Sequence, residues 1–125
     1  MIFDTDVLVW FLRGNAKAAQ AVDAVESRMI SIITYMELLQ GSRNKQEDRG
    51  IKSFLKDCRF AMLPLTENIG HRASIYVEEY ALSNSIGVAD AIIAATAVEE
   101  NVTLLSANVK HFKCVKDLQV KQFYP

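Results

Sequence analysis

The chain has 125 residues, half of them hydrophobic, which suits one domain with one substantial core. Lys and Arg number 14 and Asp and Glu 15, a net charge of −1, so any contact with nucleic acid or an anionic membrane must come from a local patch. Cys58 and Cys114 make neither a disulfide framework nor a metal-type pair. The start lacks the basic region of a secretory leader, and no apolar run reaches bilayer length, so a soluble cytoplasmic protein with no membrane partner is expected.

In chain order, residues 1–4 read as a short apolar strand ending at Asp4, and 5–13 (TDVLVWFLR) as a helix stopped by Gly14. Residues 16–27 are helical, with Ala18, Ala21, Val22 and Val25 on one face. MISII, 29–33, is a β-branched strand, after which Thr34 starts a helix that Gly41 ends. Residues 44–57 form an amphipathic helix on Ile51, Phe54 and Leu55. FAMLPL, 60–65, is a strand placed near an edge by Pro64. Helices follow over 67–83 and 88–99, then a strand at 102–105, a helical turn at 108–112 and a last strand at 118–123. There is no repeat and no linker. Strands separated by helices imply an α/β fold with a mostly parallel sheet of four to five strands in a single domain, 1–125.

In such sheets ligands bind beyond the carboxyl ends of the strands. Asp4 ends the first strand, Glu37 lies in the first turn of the helix after the second, and Ser106 and Asn108 follow the fourth. A helix feeding a parallel strand runs antiparallel to it, so Asp90, at the start of helix 88–99, reaches the same rim. How helix 67–83 returns the chain to that rim does not follow from the sequence. Alanines 91, 94, 95 and 97 let helix 88–99 approach the sheet closely and hold Asp90 rigidly. Three acids at one place repel one another unless a cation neutralises them or some are protonated. Oxygen-only ligands of this kind suit Mg²⁺ or Mn²⁺, which activate water and stabilise phosphoryl transition states.

Each acid also has a plain structural explanation. Thr34-Tyr35-Met36-Glu37 matches a capping box, Asp90 and Asp6 suit the first turns of helices, and Asp4 suits a cap. Capping explains each acid separately but does not require them to converge.

The stretches MIFDTDVLVWFL, SIITYMELLQGS, GVADAIIAATA and LLSANVKHF, in this order and spacing, resemble the PIN-domain ribonucleases, and most closely the small VapC-like toxins of VapBC-type toxin–antitoxin modules. The resemblance spans nearly the whole chain. It implies a PIN-like α/β/α sandwich and a Mg²⁺- or Mn²⁺-dependent endoribonuclease in which metal-activated water attacks an RNA phosphodiester in line. Carried over, Asp4, Glu37 and Asp90 are the acidic metal ligands. Asn108 stands where the family often keeps a further acid; it would orient a water or ligate a metal weakly through its carbonyl oxygen, but it adds no charge. Asp6 would act behind these ligands, through a water. Thr5 and Ser106 would orient ligands or phosphate, and Lys110 and Arg43 are candidate RNA contacts beside Asn108. His71 and His111 are expected at the surface or in packing. The resemblance also implies a homodimer and a cognate antitoxin, with helices 5–13 and 44–57, including Trp10 and Phe11, as candidate contact faces.

Asp4-Thr5-Asp6-Val7 also resembles the first motif of haloacid-dehalogenase-type phosphatases, but the late acidic pair of that family is missing. A phosphorylatable receiver fails sooner, since its strand-terminal Asp and Lys fall here on LPL and LLSAN. A catalytically weak PIN module that only binds RNA or protein is the non-enzymatic alternative, and Asn108 is its best support.

Overall fold

A computed structural model describes all 125 residues, Met1–Pro125. Five short strands, β1 (Ile2–Phe3), β2 (Arg28–Ser31), β3 (Phe60–Leu63), β4 (Leu104–Ser106) and β5 (Val120–Gln122), form one sheet in the order β3-β2-β1-β4-β5. Every neighbouring pair is parallel, and β3 lies at an edge with Pro64 just beyond its last residue. Six helices cover it: α1 (Thr5–Leu12), α2 (Ala16–Asp23), α3 (Ile32–Gln40), α4 (Lys45–Asp57), α5 (Glu67–Asn84) and α6 (Val88–Glu99).

Strand alternation divides the core in two. Ile2 and Leu104 face a cluster with α5 and α6 that includes Ile69, Ala73, Ile93 and Phe112. Phe3 and Leu105, the next residue in each strand, face Val7, Leu8, Val22, Leu38, Ile51 and Leu55 of α1 to α4. The central strands are thus sealed on both faces, which gives the expected α/β/α sandwich. Ala91, Ala94, Ala95 and Ala97 of α6 are fully buried.

The missing return to the rim is supplied by α5. Early in it, Arg72 lies 3.6 Å from Glu99 near the end of α6, so the two helices run antiparallel. Ser85 caps α5 in the left-handed region (φ 56°), and residues 85–87 turn the chain into α6. α6 therefore begins at the rim and carries Asp90 in its first turn.

The structure corrects one local reading. Thr34 does not cap α3. Ser31 does, its side chain accepting from the Ile33 N–H at 3.1 Å, so Ile32 and Ile33 belong to the helix and not to β2. Glu37 moves into the second turn, and the apparent T-x-x-E box is not a capping box. Smaller shifts follow at other ends: α2 stops at Asp23, β3 at Leu63, and β4 runs to Ser106, which lies within the strand and not after it.

Candidate active site

Asp4 leaves β1 in extended conformation (φ −68°, ψ 154°) and caps α1. Its Oδ1 accepts from the Thr5 N–H at 2.8 Å, and its Oδ2 accepts from Ser106 Oγ at 2.6 Å. Ser106 Oγ in turn accepts from the Asn108 N–H at 3.0 Å. Both side chains are buried. Burial, and the charges of Asp6 and Asp90, push the Asp4 carboxyl up to about 7 despite the two hydrogen bonds that favour its ionised form.

Asp6 is one residue into α1, yet its side chain reaches β4's exit. Its Oδ2 accepts from the Ala107 N–H at 3.1 Å and lies 3.4 Å from Asn108 Nδ2. Its Oδ1 is buried with no partner. Burial foremost, with Asp90 contributing, raises its pKa as well. Asp6 is thus more central than its place in the helix implied. Asn108 is exposed and makes its side-chain contact to Asp6.

Thr5 joins two elements. Its hydroxyl lies 2.7 Å from Glu37 Oε1 and 3.0 Å from Thr34 Oγ1, so the residue that donates its backbone N–H to Asp4 also holds Glu37. Asp90 meets an unexpected neighbour: His111 Nδ1 is 3.6 Å from its Oδ2. His111 sits in a 3₁₀ turn, Val109–His111, half-buried against Asp90, and His71 is exposed, in line with the surface or packing places expected of them. A His three residues beyond Asn108 was visible in the sequence, but only the tight turn brings it back to α6.

Arg43 is not drawn into this cluster. It is exposed and paired to Glu47 at 2.9 Å, and it lines a groove of about 680 Å³ between α1, α3 and α4 that also includes Glu37. Lys110 is exposed on the 3₁₀ turn. Phe11 stacks on Phe54 at 4.4 Å and Trp10 lies under Arg13, so both are partly committed to packing.

No three acidic, histidine or cysteine side chains close on a common point as a preformed metal cage. The donor set nevertheless fits a hard divalent cation. Burial and neighbouring carboxylates raise the proton affinity of Asp4 and Asp6, and the sealed Asp6 Oδ1 has nothing to bond. A parallel α/β/α sandwich with acids gathered at the carboxyl rim puts them where this class of fold binds its ligands.

Comparison with known proteins narrows that class. The PIN domain pattern matches residues 1–117. Ribonuclease VapC10 of Mycobacterium tuberculosis is 33% identical over 123 residues, covering 95% of this chain and 90% of the relative. Ribonuclease VapC1 of Rickettsia felis is 33% identical over 126 residues, covering 96% and 93%. Among solved structures, a chain of a toxin–antitoxin complex from Klebsiella pneumoniae superposes with a TM-score of 0.83 at 27% identity, over 98% of this chain and 97% of that one. The chain belongs to the PIN-domain family. The phosphatase reading falls with that assignment, because the D-T-D opening is shared by coincidence of spacing while the family match extends along the chain.

Proposed function

We propose that this protein is a divalent-metal-dependent endoribonuclease, the toxin of a type II toxin–antitoxin pair, acting in the cytoplasm. The observation that carries the reading is the arrival of carboxylates from three elements at one rim around Asp4, whose pKa is pushed up to about 7 chiefly by burial, then by the charge of Asp6 and least by that of Asp90. Asp4, Glu37 and Asp90 would hold Mg²⁺ or Mn²⁺, with Asp6 adding the charge that Asn108 lacks. When bound, such an ion lowers the pKa of a water and neutralises charge on the scissile phosphate. Ser106 and the Thr5 N–H fix the Asp4 carboxylate, the Thr5 hydroxyl fixes Glu37, and His111 faces Asp90. Lys110, exposed beside the rim, would contact RNA phosphates.

The groove between α1, α3 and α4 opens beside Glu37 and mixes Val9, Leu12 and Ile51 with Arg13 and Arg43. It suits a peptide segment of a cognate antitoxin, as expected from relatives solved as toxin–antitoxin complexes. Exposed Leu65 and Val88 flank a shallow apolar groove with Val77 and Ile92, a candidate face for the homodimer.

The test is cleavage of a mixed-sequence RNA panel with Mg²⁺, Mn²⁺ or chelator. Metal-dependent cleavage that drops at least about 100-fold in Glu37→Gln and Asp90→Asn, with folding retained, supports the reading. A parent protein that binds the panel but never cuts it makes the binding-module alternative correct. Equal cleavage by all variants rejects the assignment of these acids.

A further inference from the structure

Two threonines are sealed inside helices of this fold, and their hydroxyls have different outlets. Thr96 of α6, 1% exposed, donates to the Ile92 carbonyl at 2.7 Å, the ordinary bond of a helical threonine to the preceding turn. Thr34 of α3 is 0% exposed and makes no such bond. Its side-chain partner is Thr5 Oγ1, 3.0 Å away on a different helix.

The direction of that contact follows from counting hydrogens. Each hydroxyl carries one. Glu37, as a carboxylate, only accepts, and its Oε1 is 2.7 Å from Thr5 Oγ1, so Thr5 gives its hydrogen to Glu37. The contact between the threonines is then filled by the hydrogen of Thr34. The result is a directed relay in which Thr34 donates to Thr5 and Thr5 donates to Glu37. With Thr34 in place, the lone pair of Thr5 facing α3 is occupied and its hydrogen is turned toward the carboxylate. Without it, the Thr5 hydroxyl is free to rotate.

We propose that Thr34 is a positioning residue of the acidic site: from inside α3 it orients the Thr5 hydroxyl and thereby the Glu37 carboxylate. The inference rests on the reading of Glu37 as a metal ligand. A buried hydroxyl that bonds only toward a functional side chain contributes little to holding its own helix, and valine has nearly the same shape. Removing an outer partner of a metal ligand typically weakens metal binding or activity about 10- to 100-fold.

The experiment measures Mn²⁺ affinity from the electron paramagnetic resonance of free Mn²⁺, kcat and KM on the RNA panel, and metal-free melting. The variants are Thr34→Val, Thr34→Ser, Thr96→Val and Glu37→Gln. Thr34→Val is expected to lose about 10-fold in both Mn²⁺ affinity and kcat, with KM unchanged and melting within a few degrees of the parent. Thr34→Ser, which keeps the hydroxyl, restores both, and Thr96→Val binds Mn²⁺ as the parent does. Parental Mn²⁺ affinity in Thr34→Val overturns the proposal. So does a Thr34→Ser as weak as the valine variant, which makes the methyl group the cause, or a Thr96→Val equally weak, which makes general loosening the cause. A Glu37→Gln that keeps parental Mn²⁺ affinity and cleavage rejects the underlying metal reading instead.

Discussion

Replacing Asp4 by Asn should make the metal-free protein more stable, although it removes the acid most deeply built into the site. Asp4 is held at about 7 in the folded chain against an ordinary 3.8, chiefly by burial and then by Asp6. A raised carboxyl binds its proton more tightly when folded. Its contribution to stability is therefore fully present below 3.8 and is lost as pH rises through about 7. At about 1.4 kcal/mol per pH unit, the whole loss is about 4 kcal/mol above neutrality and about 2 kcal/mol at pH 5. Asn carries no charge to desolvate, and it can accept from the Thr5 N–H while its Nδ2 donates to Ser106, but the buried Ser106 hydroxyl hydrogen, given to Asp4 in the parent, then has no acceptor, at a cost of about 2 kcal/mol. For a chain of this length, 1 kcal/mol moves the melting temperature by about 4 °C. The net gain is about 2 kcal/mol, so Asp4→Asn should melt about 8 °C above the parent at pH 8 in chelator and about level with it at pH 5. Mn²⁺ should reverse the difference at pH 8 by stabilising the parent, by about 3 kcal/mol at a hundredfold excess over Kd, while leaving the variant unmoved. Calorimetric scans at both pH values, with chelator and with Mn²⁺, read all four conditions. A metal-free Asp4→Asn that melts at or below the parent at pH 8 would refute the electrostatic argument.

Ser106→Ala removes both the hydroxyl bonded to Asp4 and the acceptor of the Asn108 N–H. It should cost about 2–3 kcal/mol at pH 8 by urea melting, and it should shift the pH-dependent loss upward, because that hydroxyl holds the Asp4 pKa down. Asp6→Asn should raise metal-free stability above neutral pH and weaken Mn²⁺ binding; if the need is for a fourth charge, adding Asn108→Asp to it restores the binding, as a Mn²⁺ titration of the double variant will show. Arg28 donates to the carbonyls of Val22, Val25 and Cys58, at 2.9, 3.0 and 2.8 Å, tying the end of α2 to the end of α4. Arg28→Met should lose about 3 kcal/mol in urea melts and leave RNA cleavage by the folded fraction unchanged.

The order of the elements was legible because each has its own signal: β-branched runs for strands, small or apolar residues at helical spacing, and Gly14 and Gly41 at stops. Element ends were less so, and α3 shows why. Ile32 and Ile33 prefer strands by the shape of their side chains, yet Ser31 caps a helix directly before them. Propensity is a matter of tenths of a kcal/mol per residue, whereas a side-chain cap is about 1 kcal/mol, so the cap decides. The T-x-x-E pattern was a real sequence match to a box that the chain does not use. The return of α5 to the rim needed a left-handed Ser85, which is not a residue type that announces that conformation.

The site was legible in its acids and not in what holds them. Asp4, Thr5 and Asp6 are consecutive, yet they engage two separate parts of the fold: Asp4 and Asp6 meet adjacent residues at the end of β4, the Ser106 hydroxyl and the Ala107 N–H, while Thr5 between them meets Glu37 and Thr34 of α3. A helix rotates each successive side chain by about 100°, and the chain changes from strand to helix at Asp4. The tripeptide therefore fans across the rim because it occupies that junction. A periodicity reading sees the two acids as interruptions of an apolar run, since it scores each segment as one element or the other. The contacts exist only at the change between them. The same placement explains why Asp6 is a partner of β4's exit and not merely a first-turn acid: its position along α1 favours a negative charge at the helix start, but its direction is set by where β1 hands the chain to α1.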